Sequence, residues 1–111
     1  MMHIKKLFSL KDRTALVIGG GGKVGYPMAE AIAEAGAKVF IASRSSDNYQ
    51  LAVDKLIESG LNAQGLTLDQ SDESSVKNAL AYIESVSKVP DILINASSYR
   101  PMTDFYNDSV K

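Results

Sequence analysis

The feature that most constrains this 111-residue chain is a run of four glycines, residues 19–22, between two segments of opposite character. The apolar residues 15–18 before it are typical of a buried strand, and the alanine-rich amphipathic segment after Gly25 is typical of a helix. Glycine lets the backbone approach a ligand closely, and the start of a helix offers free N–H groups and partial positive charge to an anion. This order predicts a dinucleotide-binding turn.

Strand and helix patterns alternate along the rest of the chain, which favours an α/β sheet with helical crossovers. Right-handed crossovers place the first two helices on one face and the third on the other, with strand order 3-2-1-4. We therefore expect a Rossmann-type parallel sheet with three crossover helices. The predicted strands are Thr14 to Ile18, Lys38 to Ser43, Asn62 to Leu68 (with Gly65 inside it) and Asp91 to Asn95, and the predicted helices run from Val24 to Ala35, from a cap at Asp47 to Gly60, and from a cap at Ser71 or Asp72 through Val86.

The length allows one domain, which we place at residues 14–111, behind a leader at residues 1–13. The leader has no secretory pattern. Its Leu7, Phe8 and Leu10 are candidates for packing on the domain edge, and His3 is interpreted as a surface residue. Residues 96–103 are predicted to form a loop, and a further helix is predicted to begin near Asp104.

Composition narrows the classes of partner. The formal net charge of −1 gives no electrostatic reason to expect nucleic acid or an anionic membrane. The chain has no cysteine, which excludes disulfides and thiolate metal sites, and no apolar run approaches the roughly 20 residues of a membrane span. We expect a cytoplasmic protein with no metal, nucleic-acid or membrane partner.

Four segments at matching intervals together resemble the amino-terminal part of a short-chain dehydrogenase/reductase. They are the glycine turn, Ser43-Arg44 after strand 2, Leu68-Asp69 after strand 3, and Asp91 to Ala96 at strand 4. The resemblance covers the chain from Leu7 onward and implies a fold of which this sheet is an incomplete part. It also implies a nicotinamide dinucleotide site formed by Gly19, Gly21, Gly22, Lys23, Val24, Gly25, Ser43, Arg44, Asp69, Gln70, Asn95, Ala96 and Ser97.

The glycine turn departs from the commonest pattern of that family, Thr-Gly-x-x-x-Gly-x-Gly, because Lys23 stands at its middle glycine. The turn also reads as Gly19-x-x-Gly22-x-x-Gly25 or as Gly20-x-Gly22-x-x-Gly25. Two interpretations of Lys23 stay open: its ammonium group reaches a cofactor phosphate as a point charge, or it faces solvent without a ligand role.

The segment after strand 4 is a second departure. It reads Asn95-Ala96-Ser97-Ser98 where the family usually has Asn-Asn-Ala-Gly. By resemblance, Asn95 helps to hold the end of strand 4 against the cofactor. Ser98 replaces a glycine that lets the backbone pass near the nicotinamide ribose, which puts the tightness and orientation of cofactor binding in question.

The end of strand 2 predicts which nicotinamide cofactor is preferred. An acidic residue there would bind the ribose 2′-hydroxyl and repel a 2′-phosphate, but the chain has Ser43 followed by Arg44. A guanidinium group suits a phosphate monoester, so NADP(H) is preferred and NAD(H) remains possible. The resemblance places Asp69 and the Gln70 backbone at the adenine amino group, and Asp69 can also act as an Asx cap.

Catalytic residues are not found in this sequence. The family's reaction needs Tyr-x-x-x-Lys and a serine, which by resemblance correspond to positions beyond Lys111. We therefore expect the cofactor-binding portion of an oxidoreductase that acts on a small carbonyl or alcohol only when complete; a non-catalytic nucleotide-binding module and an inactive truncated product are the alternatives. None of the five tyrosines begins a Tyr-x-x-x-Lys motif. The residues four places after Tyr26, Tyr49, Tyr82, Tyr99 and Tyr106 are Glu30, Val53, Val86, Thr103 and Val110.

Strand 4 would be an exposed sheet edge that favours self-association.

Overall fold

The computed structural model describes residues 9–19 and 21–96, which form a parallel sheet with helices on both faces. Its strand order is β3-β2-β1-β4, so the predicted fold class is confirmed for this part of the chain. Some predicted features lie outside the described residues. They are the leader up to residue 8, Ser97 and Ser98, the rest of the loop to residue 103 and the helix near Asp104. The elements are β1 (Thr14–Ile18), α1 (Gly25–Glu34), β2 (Lys38–Ser43), α2 (Ser46–Glu58), β3 (Ala63–Thr67), α3 (Glu73–Val86) and β4 (Ile92–Asn95).

The register of the sheet brings the functional segments to one edge. Ile18, the last residue of β1, pairs with Ala42 of β2 and with Asn95 of β4. Beyond these pairs, the Gly19 amide donates to the Ala42 carbonyl at 2.7 Å, and the Ala96 amide donates to the Ile18 carbonyl at 2.8 Å. The glycine turn and the segment after β4 therefore leave the sheet side by side.

Both faces of the sheet are apolar because its strands are covered by helices on both sides. Small residues let α1 lie close to β1, and α3 packs on the opposite face. The α1 and α2 face is built on Ala15, Val17, Ala29, Ala33, Val39, Ile41, Val53 and Leu56, and the α3 face on Leu16, Phe40, Leu66, Leu68, Ala79 and Ile83.

The glycine inside β3 is explained by the helix above it. A Cβ atom at Gly65 would lie 2.3 Å from ring atoms of Tyr49 in α2. The Tyr49 hydroxyl is hydrogen-bonded to the Thr67 hydroxyl at 3.1 Å, which fixes the ring over the strand. The predicted third strand is present and is one residue shorter at each end. Gly65 makes room for an aromatic ring and does not interrupt the strand.

The helix caps differ in part from the sequence prediction. The cap of α2 is Ser45, whose hydroxyl accepts a hydrogen bond from the Asp47 amide at 3.2 Å, so the predicted cap at Asp47 is wrong. Asp47 lies instead in the first turn, where its carboxylate favours the positive end of the helix. Of the two caps predicted for α3, Asp72 is the one present, and it accepts from the Ser74 amide at 3.0 Å.

Strand β4 is the edge strand of the described sheet. Ile92 and Ile94 are half-buried on the side of α1 and α2, whereas Leu93 points to the α3 face and is 67% exposed. The described β4 is therefore only half-buried, as expected for a strand at the edge of the sheet. The expected apolar exposure beside α3 is present at Leu93.

Candidate dinucleotide-binding site

The glycine turn connects β1 to α1 through a left-handed residue. Gly19 has a φ of +80°, which favours glycine, and its carbonyl accepts from the Gly22 amide at 3.2 Å. The first helical residue, Gly25, is buried, and the cap residue Val24 provides no side-chain hydrogen bond. Helix α1 also has no acidic residue in its first turn. The start of α1 therefore presents its partial positive charge to the space beside the turn.

A second glycine is required by contact with a neighbouring helix. A Cβ atom at Gly21 would lie 1.7 Å from the backbone oxygen of Asn48 in α2. A Cβ atom at Gly22 would meet no atom closer than 3.6 Å, an ordinary contact distance. The turn thus rests on the first turn of α2 at Gly21, and the two segments share one wall.

A cleft of about 810 Å³ opens between the glycine turn, the end of β2 and the segment after β4. Among the described residues, two charged ones line it, Lys23 and Arg44, and both are positive. Within residues 9–19 and 21–96, neither one forms an ion pair. Its wall has the charge and the donors that phosphate groups require. It is lined by Gly19, Gly21, Gly22, Lys23, Val24, Ser43, Arg44, Asn48 and Ala96.

Most of the predicted site residues lie together in this cleft, and Asn48 is an addition that the sequence prediction missed. Its side-chain amide donates to the Ser43 hydroxyl at 3.2 Å. Asn48 belongs to no glycine or phosphate motif. The available signal was its position in the first turn of a helix that begins directly after Ser43-Arg44.

Three predicted residues form a second group at the same edge, outside the lining of the cleft. Asp69 accepts from the Ser71 amide at 3.0 Å and from the Ser71 hydroxyl at 2.6 Å. The Asn95 side-chain amide donates to the side-chain oxygen of Gln70 at 2.9 Å. This hydrogen bond connects the end of β4 to the segment that precedes α3. Asp69 is therefore an Asx turn in this structure.

The hydrogen bonds from Ser71 also hold the pKa of the Asp69 carboxyl below its ordinary value, and the nearby Arg44 guanidinium acts in the same direction. Partial desolvation opposes both effects. Asp69 is thus a carboxylate at neutral pH, so it can accept a hydrogen bond from a ligand amino group.

The described part of the chain has neither a membrane-spanning helix nor a cluster of metal ligands. No helix among residues 9–19 and 21–96 has the length and apolar character needed to cross a membrane. The same residues contain no group of three or more His, Cys, Asp or Glu that could hold a metal ion.

A parallel sheet with this strand order and an electropositive cleft at the glycine turn define a dinucleotide-binding fold of the Rossmann type. A sequence model of the family described as short chain dehydrogenase matches residues 13–111. The chain belongs to the short chain dehydrogenase family and represents its amino-terminal, cofactor-binding part.

Individual relatives agree with this assignment. The chain is 35% identical over 86 residues to the uncharacterized oxidoreductase YxbG of Bacillus subtilis (strain 168), covering 78% of this chain and 32% of the relative. It is 31% identical over 102 residues to gluconate 5-dehydrogenase of Gluconobacter oxydans (strain 621H), covering 89% and 40%. These relatives are much longer, and the chain spans between about a third and two fifths of their length.

The fold also matches solved structures. The structure of the active-site complex of Pseudomonas aeruginosa RhlG with NADP superposes with a TM-score of 0.76 at 30% identity. The match covers 90% of this chain and 40% of that one. The similarity therefore extends over nine tenths of this chain.

Proposed function

We propose that this chain binds NADP(H) as part of an oxidoreductase that transfers hydride between the cofactor and a small carbonyl or alcohol. The observation that carries the proposal is the cleft at the glycine turn, in which Lys23 and Arg44 are the charged residues of the described lining. Phosphate groups carry the negative charge of a dinucleotide, and these two cations stand where the turn and the start of α1 would receive it.

The preference for NADP(H) over NAD(H) rests on the end of β2. Arg44 follows Ser43 there, and among the described residues that line the cleft there is no carboxylate to repel a 2′-phosphate. The similarity to a protein whose structure is titled as an NADP complex supports the same preference. NADP(H) and NAD(H) are distinguished by that single phosphate, and Arg44 supplies the positive charge that would favour it.

The remaining predicted contacts follow from the resemblance. Asp69 and the Gln70 backbone would bind the adenine amino group, and Asn95, Ala96 and Ser97 would lie toward the nicotinamide end. Ala96 lines the cleft and Asn95 precedes it at the end of β4, paired with Ile18 of β1, which supports this expectation. Ser97 lies outside the described residues.

Titration of the chain with NADPH and NADH, followed by cofactor fluorescence, tests the proposal. We expect saturable binding of both with tighter binding of NADPH. Absence of saturable binding at millimolar NADPH would refute it. A carbonyl-reduction assay then tests catalysis, for which we expect no turnover by these 111 residues, since the sequence contains no Tyr-x-x-x-Lys.

Self-association through the β4 edge and a cytoplasmic location belong to the same proposal. The exposed side chain of Leu93 supports the first, because an apolar residue on the edge strand of the described sheet favours pairing with a second copy. Sedimentation at increasing concentration should show a larger species that Leu93→Lys removes. A monomer at every concentration would contradict it.

A further inference from the structure

We propose that Asn48 is a positioning residue for cofactor selectivity: it holds the Ser43 hydroxyl as a hydrogen-bond donor directed at the 2′-phosphate of NADP(H). The inference rests on the proposed function and adds to it a residue outside the glycine turn and outside the Ser43-Arg44 pair. Asn48 lines the same cleft as the glycine turn and the Ser43-Arg44 pair.

The hydrogen bond between Asn48 and Ser43 has a defined direction. The Asn48 side-chain nitrogen donates to the Ser43 oxygen at 3.2 Å, and an amide nitrogen has no lone pair with which to accept. The Ser43 oxygen is therefore the acceptor in this contact. The single hydroxyl proton of Ser43 is left for a different partner, and Ser43 itself lines the cleft.

The backbone of Asn48 is fixed from two sides, so its side chain starts from a defined position. Its amide donates to the Ser45 carbonyl at 3.0 Å, in the capped first turn of α2. Its carbonyl oxygen packs against Gly21, where even one added carbon atom would not fit. The hydrogen bond to Ser43 is thus formed before ligand arrives, which lowers the entropic cost of using it.

A fixed donor distinguishes the two cofactors. The oxygens of a phosphate monoester are charged acceptors at neutral pH, and a hydrogen bond donated to a charged acceptor is roughly twice as strong as one between neutral groups. The 2′-hydroxyl of NAD(H) is neutral and gains less from the same donor. Asn48 would therefore act on selectivity through Ser43, while the adjacent Arg44 supplies charge.

A double-mutant cycle on the 111-residue chain tests this directly, with NADPH, NADH, 2′,5′-ADP and 5′-AMP as probes. We expect Asn48→Ala to weaken NADPH and 2′,5′-ADP binding about tenfold and to change NADH and 5′-AMP binding less than about twofold. In a Ser43→Ala background the same substitution should cause no further loss. Gln50→Ala is the matched control, because Gln50 lies on the same helix. Its side-chain amide donates a hydrogen bond to the Asp54 carboxylate at 3.0 Å on the exposed surface.

Asn48→Asp provides a variant of nearly the same shape, and circular dichroism verifies that each variant folds. The carboxylate can only accept, so it should turn the Ser43 proton toward itself and weaken NADPH binding more than Asn48→Ala does. If Asn48→Ala weakens NADPH binding by the same factor in the unmutated and the Ser43→Ala backgrounds, the inference is overturned. The proposal that the chain binds NADP(H) would still stand. If the unmutated chain binds no cofactor, the proposed function fails and this inference fails with it.

Discussion

The two ends of the sheet use similar polar residues in opposite ways. At the amino ends of the strands, Arg13 forms an ion pair with Asp91 at 3.3 Å. The other carboxylate oxygen of Asp91 accepts from the Thr14 amide at 3.0 Å, and the Thr14 hydroxyl is hydrogen-bonded to that of Ser87 at 3.2 Å. These groups satisfy one another, and they join β1 to the segment between α3 and β4.

At the carboxyl ends, two cationic side chains lie along a cleft. Lys23 and Arg44 face it, and neither forms an ion pair within residues 9–19 and 21–96. The difference between the two ends separates residues that hold the fold from residues available to a ligand. An arginine at the amino end should affect stability, and one at the carboxyl end should affect binding.

The largest effect is expected where the cleft depends on the absence of a side chain. Gly21→Ala would put a methyl group 1.7 Å from the Asn48 carbonyl oxygen, so the turn or α2 must move. We expect loss of saturable NADPH binding and a destabilisation of about 1–3 kcal/mol, the usual cost of overpacking. Urea unfolding and NADPH titration measure the two effects.

Gly22→Ala is the control for folding, because its added carbon would lie 3.6 Å from the nearest atom. It should stay within about 0.5 kcal/mol of the unmutated chain. Equal stability of the two alanine variants would show that the turn does not rest on α2.

The two arginines test the comparison between the ends of the sheet. Arg44→Ala should weaken NADPH binding about 10- to 100-fold, because hydrogen bonds to a charged group are worth about 1.5–3 kcal/mol. Arg13→Ala should leave the dissociation constant within about twofold and lower the unfolding midpoint slightly. Isothermal titration measures NADPH binding by both variants, and thermal unfolding measures their stability. A binding defect in Arg13→Ala would contradict the proposed difference between the two ends of the sheet.

Much of this arrangement follows from the sequence because the signals are local. The uninterrupted apolar runs give β1 and β2 with their observed bounds, and Pro27 and Gly36 mark the start and stop of α1. The strand order follows from the handedness of crossovers. Contacts between distant segments are not visible in this way.

Gly65 illustrates the limit. In the sequence it weakens the third strand, and only the Tyr49 ring from α2 shows why a glycine is needed there. Asn48 was missed for the same reason, since its partners Ser43 and Gly21 come from two other segments. The cap at Ser45 was missed because adjacent serine and aspartate residues compete for the same role.

Lys23 has a smaller predicted effect that decides between its two open interpretations. It lines the cleft but is exposed, so its charge acts through water and is screened by salt. Lys23→Gln should weaken NADPH binding about two- to fivefold at low salt, in the range of exposed charge pairs. The loss should diminish as salt is added. A change of less than about 1.5-fold at every salt concentration would assign Lys23 to solvent.

The smallest effect is the pH dependence of the amino end. The Thr14 amide hydrogen bond, aided by Arg13, holds the pKa of the Asp91 carboxyl below its ordinary value despite partial desolvation. A lowered pKa means that the folded chain favours the carboxylate more than the unfolded chain does. The stabilisation is therefore complete above the unfolded pKa of about 3.9 and is lost as pH falls through the lower folded value.

Asp91→Asn removes that titrating group and keeps its shape. Its unfolding midpoint should lie below that of the unmutated chain at pH 7, and the gap should narrow as the pH falls below about 4, while NADPH binding at pH 7 stays unchanged. A gap of constant size over this range would mean that the Asp91 charge contributes nothing. The amino end would then be held by its neutral hydrogen bonds, and the contrast with the charged cleft would rest on Lys23 and Arg44 alone.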